Sequence, residues 1–588
     1  MTVLGRCALA GAASGILPAV LIFQHSRLDR CLDFVFLLAT AAATGGVGGI
    51  VAGAIPAWLL RRRPAGRSRL PGFLFAVLAL LYPAGALAVD LMLRVRYGRV
   101  MAWSFLLPEW APWGAYAAGG AVCLSWITAW GARSLRRAAA VAAAGFLFLG
   151  AVYLGVRTPG WEDTGVHRPA LGVYPHPVRT RPGGPVLVVC ADGGTWDVLD
   201  PLLASGKLPA LAKLADASAR GVLRSTPPYS SQSCWTTIFT GKERDRHGIG
   251  GHLVVQLPGV RPFRLTPRDR DNYAVLGIGA LLARLGIAEA PPTPSTYLRA
   301  KPVWKVLSDH GRRVWVLGVP STWPAYPVNG AMMTDRVCWS VWETFFRHRD
   351  RIPGGTWPEA LAEEIEPLVV RPWAVPREEI ARYYEPTEAD LERIRTDNPR
   401  RWPPARRVLL NRTLGMDRTV LDVFDHLAAK ESLPDLAVVY TTATDLAGHA
   451  FWPHKFPERY PAGFSPPEEV AQFRDVIDRV WAALDARIGR ILEKYGPGAT
   501  VILVSDHGLR AAPGGTVWDA DHAEEGIFLV RGPGIRPGRI DPPLRLADVA
   551  ALLYERSGFP VPQDLDGKLR EDLYAAPPAV EVIPSYDP

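Results

Sequence analysis

Paired cysteine is missing from this chain. Its six cysteines (Cys7, Cys31, Cys123, Cys190, Cys234 and Cys338) are scattered, with no CxxC and no matched spacing. That argues against both a thiolate zinc site and a disulfide framework. A basic block with interleaved aromatics is missing as well. The 66 Lys and Arg exceed the 57 Asp and Glu, but the formal charge of +9 is Arg spread along the chain. Nucleic-acid binding therefore has no support. At 588 residues the chain is too long for one ordinary domain, and two or more units are expected.

Apolar length is present in excess. Mean hydropathy is +0.07, high for a soluble protein, and the surplus is concentrated in residues 1–156. Five apolar stretches, near 3–23, 33–60, 71–93, 111–131 and 138–156, are long enough to span a bilayer, which takes roughly 20 residues each. The first could pass for a signal peptide, but four more follow, so the expectation is an α-helical transmembrane bundle. Arg61, Arg62, Arg63, Arg67 and Arg69 follow the second span, and Arg133, Arg136 and Arg137 the fourth. With both loops in the cytoplasm, an odd number of spans puts everything after residue 157 on the extracytoplasmic side. Trp103 and Trp110 then lie in an external loop, which also holds Arg94, Arg96 and Arg99 against the rule. Residues 157–184, rich in Pro and Gly, read as a linker.

From Pro185 apolar runs alternate with helical segments, the pattern of an α/β domain with a mostly parallel sheet. Strands are expected at Val186–Cys190, Val222–Arg224, Arg313–Val319, Leu436–Tyr440, Thr500–Val504 and Ile527–Val530. Helices are expected at Trp196–Ala204, Leu208–Ala217 and near 467–494. Ligands of open α/β sheets bind beyond the carboxyl ends of the strands. Asp192, Asp445 and Asp506 each follow such an end. Asp445 and His449 are four apart, so a helix would project both from one face toward one ion. Asp506 and His507 are adjacent on a turn, and His522 lies in a polar loop before a strand. Three carboxylates and three imidazoles without thiolate suit zinc, with manganese or iron as alternatives.

The stretch Tyr229–Gly250 (YSSQSCWTTIFTGKERDRHGIG) supplies a hydroxyl. Ser230-Ser231-Gln232-Ser233 opens a helix, where free N–H groups and the dipole favour negative charge. A nucleophile attacking a phosphoryl group suits that place. A serine-rich helix start alone reads more readily as an N-cap, and an Asp after a strand as a turn residue. The joint placement of the whole set is what points to chemistry.

Residues 185–575 resemble the alkaline phosphatase superfamily, in its type I phosphodiesterase/nucleotide pyrophosphatase branch. The matching pieces, in the family's order, are VLVVCADGGTWDVLDPLLASGKLPALAKL, SSQSCWTTIFTGKERDRHGI, VWKVLSDHGRRVWVLGVPSTWP, VVYTTATDLAGHAFW, VILVSDHG, DHAEEGIFLVRGPGI and LADVAALLYERSGFPVPQDLDG. Residues 251–300 and 336–432 fit less well and are expected to be insertions or a cap, and 576–588 a tail.

The resemblance implies two zinc ions. One would be held by Asp192, Asp506 and His507, with Ser231 beside it as the nucleophile; the other would be held by Asp445, His449 and His522. Ser231 is singled out because it lies nine residues before the Thr of Thr240-Gly241, as the nucleophile does in the family. The implied activity is hydrolysis of a phosphodiester or pyrophosphate, of a nucleotide, lipid head group or similar substrate, through a phosphoserine. Transfer of a lipid head group to an acceptor outside the membrane is the alternative, suggested by the spans. The sequence departs from relatives that carry an Asn after the His-Gly pair, since Gly250-Gly251-His252 has none, and Lys242 is expected to be structural. SQSCW lacks the Pro and Arg of a sulfatase, which argues against that activity.

Overall fold

The computed structural model describes residues 171–172, 178–227, 229–251, 293–338, 353–371, 374–396, 406–512 and 519–587. The five expected membrane spans lie outside them, as does most of the expected linker. Among the described residues no helix is long and apolar enough to cross a membrane.

Strand β1 (Val186–Ala191) is VLVVCA, and all six of its residues are buried. Leu187, Val189 and Ala191 face one core cluster, while Val186, Val188 and Cys190 face the other. A period of two with both faces apolar makes β1 an interior strand between two helical layers. The chain continues through α1 (Trp196–Ala204), α2 (Pro209–Asp216), β2 (Ala219–Arg224), α3 (Ser231–Thr240), α4 (Val303–Asp309), β3 (Val314–Leu317), β4 (Gly330–Met333) and β5 (Thr356–Trp357). Then come α5 (Arg406–Lys430), β6 (Leu436–Thr441), α6 (Ala443–Lys455), α7 (Val476–Tyr495), β7 (Thr500–Val504), β8 (Gly508–Ala511) and β9 (Ala520–Ala523). The last part is β10 (Glu525–Arg531), β11 (Gly538–Arg539), β12 (Leu544–Arg545) and α8 (Asp548–Arg556).

The sheet order is β11-β2-β10-β7-β1-β6-β3-β4-β5, with β12 also paired to β2. Strands β7, β1, β6, β3 and β4 run parallel, while β10 and β5 join antiparallel, so the sheet is mixed around a parallel centre. Register fixes where the strands end: Ala191 lies opposite Thr441, and Cys190 opposite Val504. The residues after β1, β6 and β7 therefore emerge side by side. Helices α1, α2, α5, α6 and α7 cover one face, and α3, α4 and α8 the other.

Several sequence expectations need correction. The region near 467–494 forms two helices, Pro467–Phe473 and α7, rather than one. His522 stands on β9 of a small antiparallel hairpin with β8, because its neighbours pair across to Gly508–Ala511 instead of looping free. Residues 406–430, assigned to an insertion, form α5, whose Val420, Leu421 and Phe424 are buried in the main core. The expected tail is tied down, since Val582–Ile583 pairs with Val561–Pro562.

Helix α5 also organises the site. Residue Thr442, before α6, gives no side-chain cap of its own. Instead Asp417 of α5 accepts the amides of Thr442 at 2.8 Å and Ala443 at 3.1 Å. A carboxylate there satisfies two orphan donors and opposes the dipole. Asp417→Ala should lower stability by about 1 kcal/mol, the usual loss for a removed N-cap. Denaturant unfolding checks this, and an unchanged midpoint would contradict it.

Candidate active site

The carboxyl ends of β1, β6 and β7, the start of α3 and the β8–β9 hairpin converge on one point. The Asp192 amide donates to the Thr441 carbonyl at 3.0 Å, carrying the ladder one residue past β1. Gly193 follows with φ of 66°, and a Cβ there would meet Asp445 Oδ1 at 2.6 Å. Only glycine lets the turn adopt that φ while α6 presses so close. The Gly194 amide donates to Ser505 Oγ at 2.7 Å, and Ser505 Oγ donates to the His507 carbonyl at 2.6 Å, tying the β1 and β7 turns together.

All seven side chains singled out in the sequence meet here. Ser231, the first residue of α3, holds its Oγ 3.2 Å from His507 Nε2 and 3.5 Å from Asp192 Oδ1. His507 Nε2 lies 3.3 Å from Asp192 Oδ1 and 3.5 Å from Asp506 Oδ2. Asp192, Asp506 and His507 have ligand atoms mutually within 4.8 Å, as do Asp445, His507 and His522. His449 Nε2 lies 3.3 Å from Asp445 Oδ1 and 2.9 Å from His522 Nε2, and His522 Nε2 lies 3.8 Å from Asp445 Oδ1. His507 thus stands between the two groups, its ring stacked on His522 with centroids 3.7 Å apart.

The imidazole hydrogen bonds decide what these atoms can do. His449 Nδ1 lies 2.7 Å from the Ala520 carbonyl, His522 Nδ1 2.6 Å from the Tyr229 carbonyl, and His507 Nδ1 3.1 Å from the Gly508 carbonyl. A carbonyl only accepts, so this network assigns each Nδ1 the proton and leaves each Nε2 a lone pair. The two Nε2 atoms of His449 and His522 would then face each other at 2.9 Å, which is repulsive unless a cation or proton sits with them.

The carboxylates tell the same story. Asp192 and Asp506 are 1% and 0% exposed, and among the described residues neither oxygen of Asp506 meets a hydrogen-bond donor in good geometry. Burial, then the charges of Asp192 and Asp445, push the Asp506 pKa well above the usual carboxylate range. Three buried carboxylates with lone-pair nitrogens between them form a donor set for divalent cations. Asp192, Asp506 and His507 fit one ion, and Asp445, His449 and His522 fit a second.

Two side chains here carry no motif of their own. Tyr440 and Trp235 both donate to Asp192 Oδ2, the indole from 3.3 Å. With Oδ2 so occupied, Oδ1 is the atom turned to Ser231 and His507. In sequence they look like core aromatics, and their rings do pack edge to face, with centroids 5.6 Å apart. Burial, then the Asp192 charge, pushes the Tyr440 phenol far above its ordinary range, so it stays a donor. Lys242 is tied to Asp564 and Asp587 and has a structural role. Tyr440→Phe should weaken divalent-ion binding at the Asp192 group about 10- to 100-fold, as for partners that orient a ligand. Equilibrium dialysis with elemental analysis checks this; unchanged affinity would contradict it.

No curated protein matches the chain. Among solved structures, murine ectonucleotide pyrophosphatase / phosphodiesterase 5 is similar at 12% identity and a TM-score of 0.36, covering 66% of this chain and 100% of its own. Phosphonoacetate hydrolase from Sinorhizobium meliloti 1021, in complex with phosphonoformate, is similar at 17% identity and a TM-score of 0.29. That match covers 59% of this chain and 61% of the hydrolase. The family model described as type I phosphodiesterase / nucleotide pyrophosphatase matches residues 186–557, well over half the chain. The chain belongs to that family, and is a hydrolase of the alkaline phosphatase superfamily.

Proposed function

We propose that this protein is a membrane-anchored, zinc-dependent phosphoesterase that cleaves phosphodiester or pyrophosphate bonds, with Ser231 as nucleophile. The observation that carries the reading is the pair of facing Nε2 atoms at 2.9 Å, beside three buried carboxylates and the Ser231 hydroxyl. Asp192, Asp506 and His507 would hold one ion, and Asp445, His449 and His522 the other. When bound, the ions would supply a lowered pKa for the serine hydroxyl and neutralisation of charge on the leaving oxygen. Zinc is favoured because the donors mix nitrogen and oxygen without thiolate.

The protein's own groups set the geometry. Ser231 Oγ attacks phosphorus in line, forming an O–P bond as the bond to the leaving alcohol or phosphate breaks. Water then cleaves the phosphoserine and returns the hydroxyl. The free amides of the first turn of α3 would face the phosphoryl oxygens. Family membership supports a phosphodiester or nucleotide-type substrate over a sulfate ester. The five apolar stretches and the Arg distribution support an anchor of residues 1–156 with the catalytic unit on the extracytoplasmic side.

Ser231→Ala should abolish turnover while leaving both ions bound. Asp445→Ala should lose about one ion per chain, as expected for a removed ligand. Assayed on a bis-aryl phosphate diester, an aryl monoester and an aryl sulfate, the full-length protein should prefer the diester. Full activity in Ser231→Ala would sink the nucleophile assignment, and bound metal with no turnover of any ester would favour head-group transfer. The anchor predicts that the chain stays with membranes through alkaline carbonate extraction, and that its catalytic unit is cut by protease added to intact cells. Release by carbonate, or full protection, would contradict it.

A further inference from the structure

Residue Tyr229 has a backbone that its type avoids. Its φ is 44°, in the left-handed region, where a residue with a Cβ is strained and glycine or asparagine is the usual occupant. The strain is held locally. The Tyr229 amide closes a turn onto the Thr226 carbonyl at 3.2 Å, and Ser230 returns to extended backbone, with φ of −84° and ψ of 121°. Ser230 then accepts the Cys234 amide at 2.8 Å, which starts α3. The consequence of the kink is the direction of one carbonyl. That of Tyr229 accepts His522 Nδ1–H at 2.6 Å.

We propose that left-handed Tyr229 is a positioning residue that ties the nucleophile's helix to the second ion's ligand set by aiming its carbonyl at His522. The inference rests on the two-ion reading. The carbonyl fixes the tautomer and ring angle of His522, whose Nε2 is thereby turned to His449 and Asp445. The same peptide lies two residues before Ser231, so nucleophile and ligand are set by one short run of backbone. Strain kept at such a point has a use, because relaxing φ would swing the carbonyl away. The part of Tyr229 that acts on His522 is its backbone.

The test separates ring from backbone. Full-length wild type, Tyr229→Val, Tyr229→Ala, Tyr229→Asn and Tyr229→Gly are compared for zinc per chain over a series of buffered free zinc concentrations, with His522→Ala as reference. Val resists left-handed φ most, Ala less, while Asn and Gly accept it, and all four lack the ring. Tyr229→Val should weaken one of the two ions about 10- to 100-fold, the range for lost orienting partners. It should be the same ion that His522→Ala loses, with the other unchanged, and Asn and Gly should rescue it. If the Val variant does not fold, Tyr229→Ala against Tyr229→Asn carries the same comparison. Two ions at wild-type affinity in the Val or Ala variant would overturn this inference alone. Fewer than two ions in the wild type would overturn the two-ion reading and this one with it.

Discussion

Three carboxylates and two imidazoles are buried together where parallel strands end, with half-buried His522 at their edge, and the rest of the unit is arranged to make that tolerable. Water cannot solvate Asp192 or Asp506 there, and the charge of Asp192 raises the cost of charge on Asp506. Backbone carbonyls fix the imidazole tautomers so that lone pairs, not protons, point inward. The Asp192 carboxylate is divided, one oxygen given to Tyr440 and Trp235 and the other to the reacting side. Such a cluster is unfavourable alone and favourable around cations. Stability and chemistry therefore depend on one electrostatic condition.

Sheet register translates that condition into geometry. Strands β1, β6 and β7 end level, so Asp192, the α6 start and the Ser505–His507 turn are neighbours without any long loop. Helix α6 carries Asp445 and His449 one turn apart and is itself started by Asp417 from α5. Ser231, the proposed nucleophile, enters from the opposite layer on α3, whose far end closes in left-handed Gly241. Each layer of the fold thus contributes a different component.

Much of this was legible in the sequence. Strand runs such as VLVVC and TVILV are apolar on both faces, and the acidic residues after them stand at strand ends by position alone. The i, i+4 spacing of Asp445 and His449 carries over directly to α6. What was not legible depended on long-range pairing. The hairpin holding His522 has no apolar alternation of its own, and α5 hides in a stretch whose mixed polarity reads as insertion. Tyr440 and Trp235 look like ordinary core aromatics until Asp192 is placed beside them. No sequence pattern announces a tyrosine at positive φ.

The condition itself can be measured by titrating zinc into metal-stripped full-length protein while following its thermal unfolding. If cations complete the buried cluster, two ions per chain should bind and the midpoint should rise with free zinc, as mass action requires of a ligand held only by the folded state. A chain that unfolds at the same temperature with and without zinc, and binds none, would contradict the account at its centre.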